Sequence, residues 1–250
     1  MPACTLRYLG IMLQRFKYML KSQCFFMSCW LLLIATMSVA LILMPKQELH
    51  LALNVHAHTP ALDLFFMYFT KIAEYMPYII VVLLLFYSYG WAVVAALGQL
   101  GATLTTQILK HIVNAPRPKI FFEDNFPDLI PQLHWVDGVN MHHWFSFPSG
   151  HTTAFFAMFF LLSLLFCDNI RSKESISQYW LILIQFFCFA LAALGGYSRI
   201  YLSQHFTADV LAGTIVGVLL TALFYCLPWP WNKPWANRSI LTRKLRPSCE

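Results

Sequence analysis

Residues 78–109 read YIIVVLLLFYSYGWAVVAALGQLGATLTTQIL and contain no charged side chain. One helix crossing a bilayer needs about 17–25 apolar residues, so the run is too long for a single ordinary span. Tyr87-Ser88-Tyr89-Gly90 supplies a tight turn inside it. The stretch therefore reads as two antiparallel spanning helices, and it sets the fold class.

Outward from this pair the pattern repeats. Cys24 to Met44 is uninterrupted; it is too long for a signal-peptide core, lacks a small-residue cleavage site, and reads as a retained span. The helix ahead of the turn begins near Leu64 and carries Lys71 and Glu74, three apart on one face, where they can pair or sit at the interface. Three more spans follow, at His151 to Cys167, Gln178 to Tyr197 and Phe206 to Leu227. The expected fold is all-α, a polytopic membrane helical bundle of about six transmembrane helices. Composition agrees: 59% of the 250 residues are hydrophobic and 11% charged, against about 25% charged in soluble domains. The domain reading is a membrane domain over 24–228, a basic amphipathic segment over 1–23 and a basic tail over 229–250.

In the N-terminal segment Leu6, Leu9, Leu13, Phe16 and Leu20 recur at helical spacing, with Arg7, Arg15, Lys17 and Lys21 as a basic face. That pattern suits a helix on an anionic membrane surface or a basic flank to the first span. Six spans put both termini on one side. The N-terminal flank, the Asp168–Ser177 loop and the tail together hold eleven of the seventeen Lys and Arg. The positive-inside rule then makes this side cytoplasmic. The net charge of +6 follows from these flanks and does not point to nucleic acid. Cys4 and Cys249 fall in the tails, and the other five cysteines fall in or beside spans, so no disulfide framework is implied.

Three segments on the opposite, exoplasmic side carry polar residues at the edges of apolar runs, where a charge is costly without a partner or a function. They are KHIVNAPRP (Lys110 to Pro118), PSGH (Pro148 to His151) and SRIYLSQHFTAD (Ser198 to Asp209). Lys110, Arg117 and Arg199 can neutralise a phosphate dianion, Arg through a planar fork and Lys as a point charge. Ser149 and Gly150 open a helix whose first turn has free N–H groups, with His151 beside them. His205 and Asp209 are four apart and share a helix face, so the carboxylate can accept the imidazole N–H and fix its tautomer. Singly, these residues also fit snorkelling cations and a surface His–Asp pair.

In combination, Lys-x6-Arg-Pro, Pro-Ser-Gly-His and Ser-Arg-x5-His-x3-Asp resemble the signature of the type 2 phosphatidic acid phosphatase and vanadium haloperoxidase superfamily. The closer resemblance is to its bacterial integral-membrane lipid phosphatases. All three segments are complete, and the six-span layout covers nearly the whole chain. The resemblance implies an acid phosphatase-like helical core. It implies a catalytic set of His205 as nucleophile through a phosphohistidine, Asp209 orienting it, and His151 protonating the leaving oxygen and later activating water. It implies phosphate binding by Lys110, Arg117, Ser149, Gly150 and Arg199. No metal and no other cofactor is expected, because the cations do that electrostatic work.

His134, His142 and His143 share a loop with Glu123, Asp124, Asp128 and Asp137, but their spacing matches no standard metal-ligand pattern. His111 reads as a neighbour of Lys110, and His50, His56 and His58 suggest a wet loop after the first span. The expected partners are the bilayer and a membrane lipid phosphate. Undecaprenyl diphosphate or a lipid A phosphate is favoured; phosphatidic acid and phosphatidylglycerol phosphate are the other candidates. The expected location is a bacterial cytoplasmic (inner) membrane. A lipid-to-lipid phosphotransferase with the same phosphohistidine, or a non-catalytic lipid-binding protein, is the alternative. Oligomeric state is not readable.

Overall fold

The computed structural model describes residues 2–55, 58–171 and 177–244. His56, Lys173, Arg246 and Cys249 lie outside the described residues. Those described form helices joined by loops, with no strand among them. Helix α1 (Pro2–Ser22) precedes α2 (Cys24–Leu43), α3 (Lys46–Asn54), α4 (Pro60–Phe69), α5 (Ile72–Tyr87) and α6 (Tyr89–Val113). Then come α7 (Pro118–Asn125), a 3-10 turn (Pro127–Gln132), α8 (Gly150–Arg171), α9 (Gln178–Tyr201), α10 (Thr207–Cys226) and the short α11 (Ile240–Lys244).

Among the described residues, five helices, α2, α6, α8, α9 and α10, are long and apolar enough to cross a membrane. The α4–α5 pair, bent by 40°, makes a sixth crossing if it counts as one. The bend falls where the sequence suggested a continuous helix carrying Lys71 and Glu74. Thr70 and Lys71 form the break, and Lys71 precedes the first turn of α5. The two charges do not pair with each other: Lys71 Nζ lies 5.0 Å from the Tyr68 ring, and Glu74 reaches His151 instead. The turn after α5 is as short as expected. Ser88 alone is extended, and its hydroxyl accepts the N–H of Trp91 at 3.4 Å to cap α6.

The bundle is built around α8, 67% of whose apolar window is buried against 11% for α2. Helix α10 lies against α8 through Gly213 and Gly217, a small-xxx-small spacing that lets two backbones approach. A Cβ at Gly213 would lie 2.8 Å from the Ser149 carbonyl oxygen, and one at Gly217 would lie 2.5 Å from that of Thr153. Two buried amides, one at the α1–α2 break and one on α9, are matched inside the bundle. Ser163 Oγ donates to Gln23 Oε1 at 2.6 Å, and Gln185 both accepts from the Phe26 N–H and donates to the Ser22 carbonyl, across the α1–α2 break. Such pairing matters where no water is available.

At one end, α1 meets the ends of α8 and α10. Asp168 accepts from Tyr18 and Tyr225, and Arg15 stacks over Tyr225 and Trp231. Arg15 is thus turned into the protein, unlike the basic face expected for it, while Leu9, Leu13, Phe16 and Leu20 remain exposed. The tail joins this end through the Ala236 carbonyl, which accepts from Ser88 Oγ and Gly90 N–H. The three motif segments lie at the other ends of these helices.

Candidate active site

Asn114 ends α6 in the left-handed region (φ 44°), a conformation Asn tolerates, and releases the chain one turn after Lys110. Pro116 and Pro118 then stiffen the segment around Arg117, and Pro118 opens α7. The loop expected to hold Glu123, Asp124 and Asp128 contains α7 and a 3-10 turn. Phe145 (φ 60°) and Ser203 (φ 48°) are also left-handed. Residues of this kind persist only where their surroundings over-determine them; Asn114 and Ser203 lie within motif segments and Phe145 lies just ahead of the second.

The residues singled out from sequence converge. Lys110, Arg117, Gly150, His151, Arg199 and His205 line one cavity of about 460 Å³, together with Thr70, Lys71, Glu74, Gln107, Asn140, His142 and Gln204. Lys110 Nζ donates to the Phe145 carbonyl at 2.6 Å. Arg117 Nε donates to the Trp144 carbonyl at 3.1 Å, and its Nη1 to Gln204 Oε1 at 3.1 Å. Arg199 is buried; its Nη1 donates to Thr70 Oγ1 at 2.7 Å, while its Nε has no hydrogen-bond partner among the described residues. Ser149 caps α8, accepting from Thr152 N–H at 3.4 Å and Thr152 Oγ1 at 2.9 Å. Its own N–H donates to the Asp209 carbonyl at 3.0 Å, which ties the second segment to the third.

His205 and Asp209 are both buried, and Nδ1 stands 3.6 Å from Oδ2. That is longer than a hydrogen bond. Ser146 bridges the pair: its Oγ donates to Asp209 Oδ2 at 2.5 Å and sits 3.5 Å from His205 Nδ1. Asp209 Oδ2 also accepts the Phe206 N–H at 2.9 Å. Burial pushes the His205 imidazole down to about 3, against the pull of Asp209. The ring is therefore neutral at ordinary pH. With Nδ1 facing Asp209 and Ser146, its other nitrogen carries the lone pair. A neutral imidazole facing three cations suits attack on a phosphorus held by them.

Sequence patterns did not reveal Ser146, Thr70, Glu74 and Gln204. His151 Nε2 lies 3.1 Å from Glu74 Oε1 on α5, outside every motif. Nor is His50 in a wet loop: it is buried on α3, with Nε2 3.2 Å from Ser203 Oγ beneath the turn leading to His205. Asn54, one turn on, donates to the Tyr201 carbonyl at 2.9 Å. Lys46 lies over the Phe206 ring at 3.8 Å. Helix α3 is thus a buttress for the Tyr201–Phe206 segment.

His134 pairs with neither His142 nor His143. With His58 and Asp63 it makes a group whose ligand atoms lie within 4.8 Å of one another. Those atoms already bond each other and Tyr201: Asp63 accepts from Tyr201 at 2.6 Å and from His134 at 3.1 Å. This is a hydrogen-bonded clamp between α4 and α9.

The chain is similar to known proteins. The lipid A 4'-phosphatase of Porphyromonas gingivalis is 29% identical over 188 residues, 74% of this chain and 73% of its own. Lipid phosphate phosphatase 2 of Arabidopsis thaliana is 33% identical over 54% of this chain. The probable lipid phosphate phosphatase 4 of the same plant is 28% identical over 53%. The chain spans about half the length of these two plant relatives, 51% and 47%. The crystal structure of Aquifex aeolicus LpxE superposes with a TM-score of 0.56 at 27% identity, covering 72% of this chain and 93% of that one. A model described as PAP2 superfamily matches residues 89–233, a region that holds all three motif segments. The chain belongs to the PAP2 superfamily.

Proposed function

We propose that this protein is an integral-membrane lipid phosphatase that works through a phosphohistidine without a metal ion. The observation that supports it best is the convergence of Lys110, Arg117, Arg199, His151 and His205 on one cavity at one end of a bundle of apolar helices. Lys110, Arg117, Arg199 and the start of α8 at Ser149 and Gly150 bind the phosphate oxygens. His205, neutral and backed by Asp209, attacks phosphorus in line with the leaving lipid oxygen. His151 protonates that oxygen and then takes a proton from the water that hydrolyses the intermediate. The charges carry the electrostatic part of catalysis.

The cavity faces the exoplasmic side, because the basic α1 and tail sit at the other end. The substrate class is the phosphate ester of a large membrane lipid, with a lipid A phosphate first. One relative, matched over 74% of this chain and 73% of its own length, carries that activity in its name. A panel of lipid A, phosphatidic acid, phosphatidylglycerol phosphate and undecaprenyl diphosphate in detergent micelles with EDTA tests all of this. Release of inorganic phosphate from at least one lipid, unchanged by EDTA, is expected. Dependence on added metal, or label passing to a second lipid instead of water, would refute it.

A further inference from the structure

Among the described residues lining the cavity, Glu74 is the one carboxylate. A negative charge in a pocket built from cations weakens the binding of a phosphate, so it needs a compensating role. Its contact indicates one. Glu74 Oε1 lies 3.1 Å from His151 Nε2, with the Glu74 side chain 45% exposed and that of His151 27%. The groups facing His151 are otherwise positive or neutral: Lys110 from α6, Arg117 beyond it, Arg199 from α9 and His205 from the next turn. Among the described residues, Glu74 is the one negatively charged partner of that ring. Glu74 enters from α5, in the turn after the α4–α5 bend, and Thr70 at the same bend holds Arg199.

We propose that Glu74 is the positioning residue for the general acid. It accepts Nε2–H of His151, which fixes the ring and stabilises its positive charge, so that the other ring nitrogen gives its proton to a leaving alkoxide. This rests on the phosphatase reading above. In the first step the other nitrogen of His205 forms a bond to phosphorus as the P–O bond to the lipid breaks. The electron pair leaves on the lipid oxygen, which takes the proton from the other nitrogen of His151 and departs as the alcohol. In the second step water bonds to phosphorus, its proton passes to that same nitrogen of His151, and the N–P bond breaks to free inorganic phosphate. The ring is again protonated beside Glu74.

The role predicts a dependence on the leaving group. An alkoxide needs the proton; a leaving phosphate does not. The test compares the wild type with Glu74→Gln and Glu74→Asp on diacylglycerol phosphate and diacylglycerol diphosphate, which share the same tail, in mixed micelles. For Glu74→Gln, kcat on the monophosphate should fall about 10- to 100-fold, a share of the usual general-acid contribution. On the diphosphate it should fall less than about threefold, because that step needs no general acid. Glu74→Asp should recover part of the loss, and the alkaline limb of kcat against pH should move to lower pH in Glu74→Gln. Equal losses on both substrates, or an unmoved alkaline limb, would overturn the assignment while leaving the phosphatase reading intact. Failure of the wild type to release phosphate from either lipid or from the lipid panel would instead overturn that reading.

Discussion

His205 is neutral because it is buried, and this sets two expectations. His205→Ala should lower kcat by about 10³-fold or more, as loss of a nucleophile does, and should abolish the acid-labile, alkali-stable phosphoprotein formed from ³²P-labelled lipid. A variant that still forms that adduct would remove His205 from its role. The second expectation concerns pH. Burial brings His205 and His50 each down to about 3 in the folded protein, against about 6.5 in an unfolded chain. Below pH 6.5 the unfolded chain therefore binds protons that the native protein does not. Stability is at its full value above that pH and falls as pH drops towards 3, by up to about 1.4 kcal/mol per unit for each ring. Thermal melting in detergent from pH 8 to pH 4 should show it, and His50→Gln should flatten the slope. Ser146→Ala removes the closest donor to Asp209, at a cost of about 1–3 kcal/mol for the buried group left short. A fall in kcat larger than the rise in KM would separate its effect on the His205–Asp209 pair from one on binding.

At the scale of elements, α8 and α10 are placed by small residues. Gly217→Ala puts a methyl 2.5 Å from the Thr153 carbonyl oxygen and should destabilise by about 1–3 kcal/mol, as overpacking does. Because the Ser149–Asp209 backbone bond crosses the same interface, activity in folded protein should fall with it. Wild-type activity at wild-type melting temperature would show that the contact does not matter. This level also shows what sequence could give. Motif residues were legible because each is fixed to its neighbours along one helix or turn. Glu74, Thr70 and Ser146 were not, since they meet the site from α5, the α4–α5 bend and a loop, with no spacing to mark them. The Lys71–Glu74 pairing failed for a related reason. Helical spacing assumes a continuous helix, and the break at Thr70 and Lys71 turns Glu74 towards His151.

At the scale of the whole molecule, the exposed apolar surface of the long helices calls for a bilayer, and the two ends differ in chemistry. A cysteine introduced at Asn140, which lines the cavity, should react with a membrane-impermeant maleimide in intact cells. A tag on the N-terminus should be protected until the membrane is broken. The reverse pattern would turn the molecule over. A plan of five or six spans was legible from hydropathy and turn residues, whereas the buttress role of α3 was not, because its polar residues read as solvent-facing until packing buries them. The cations of the site have a last consequence. Lys110 and Arg117 already hold oxygens of Phe145, Trp144 and Gln204, so an arriving anion must outbid several directional contacts at once. A tetrahedral oxyanion has corners enough to do so and a spherical halide has none. Vanadate should compete at low concentration, while seawater levels of chloride leave the protein working.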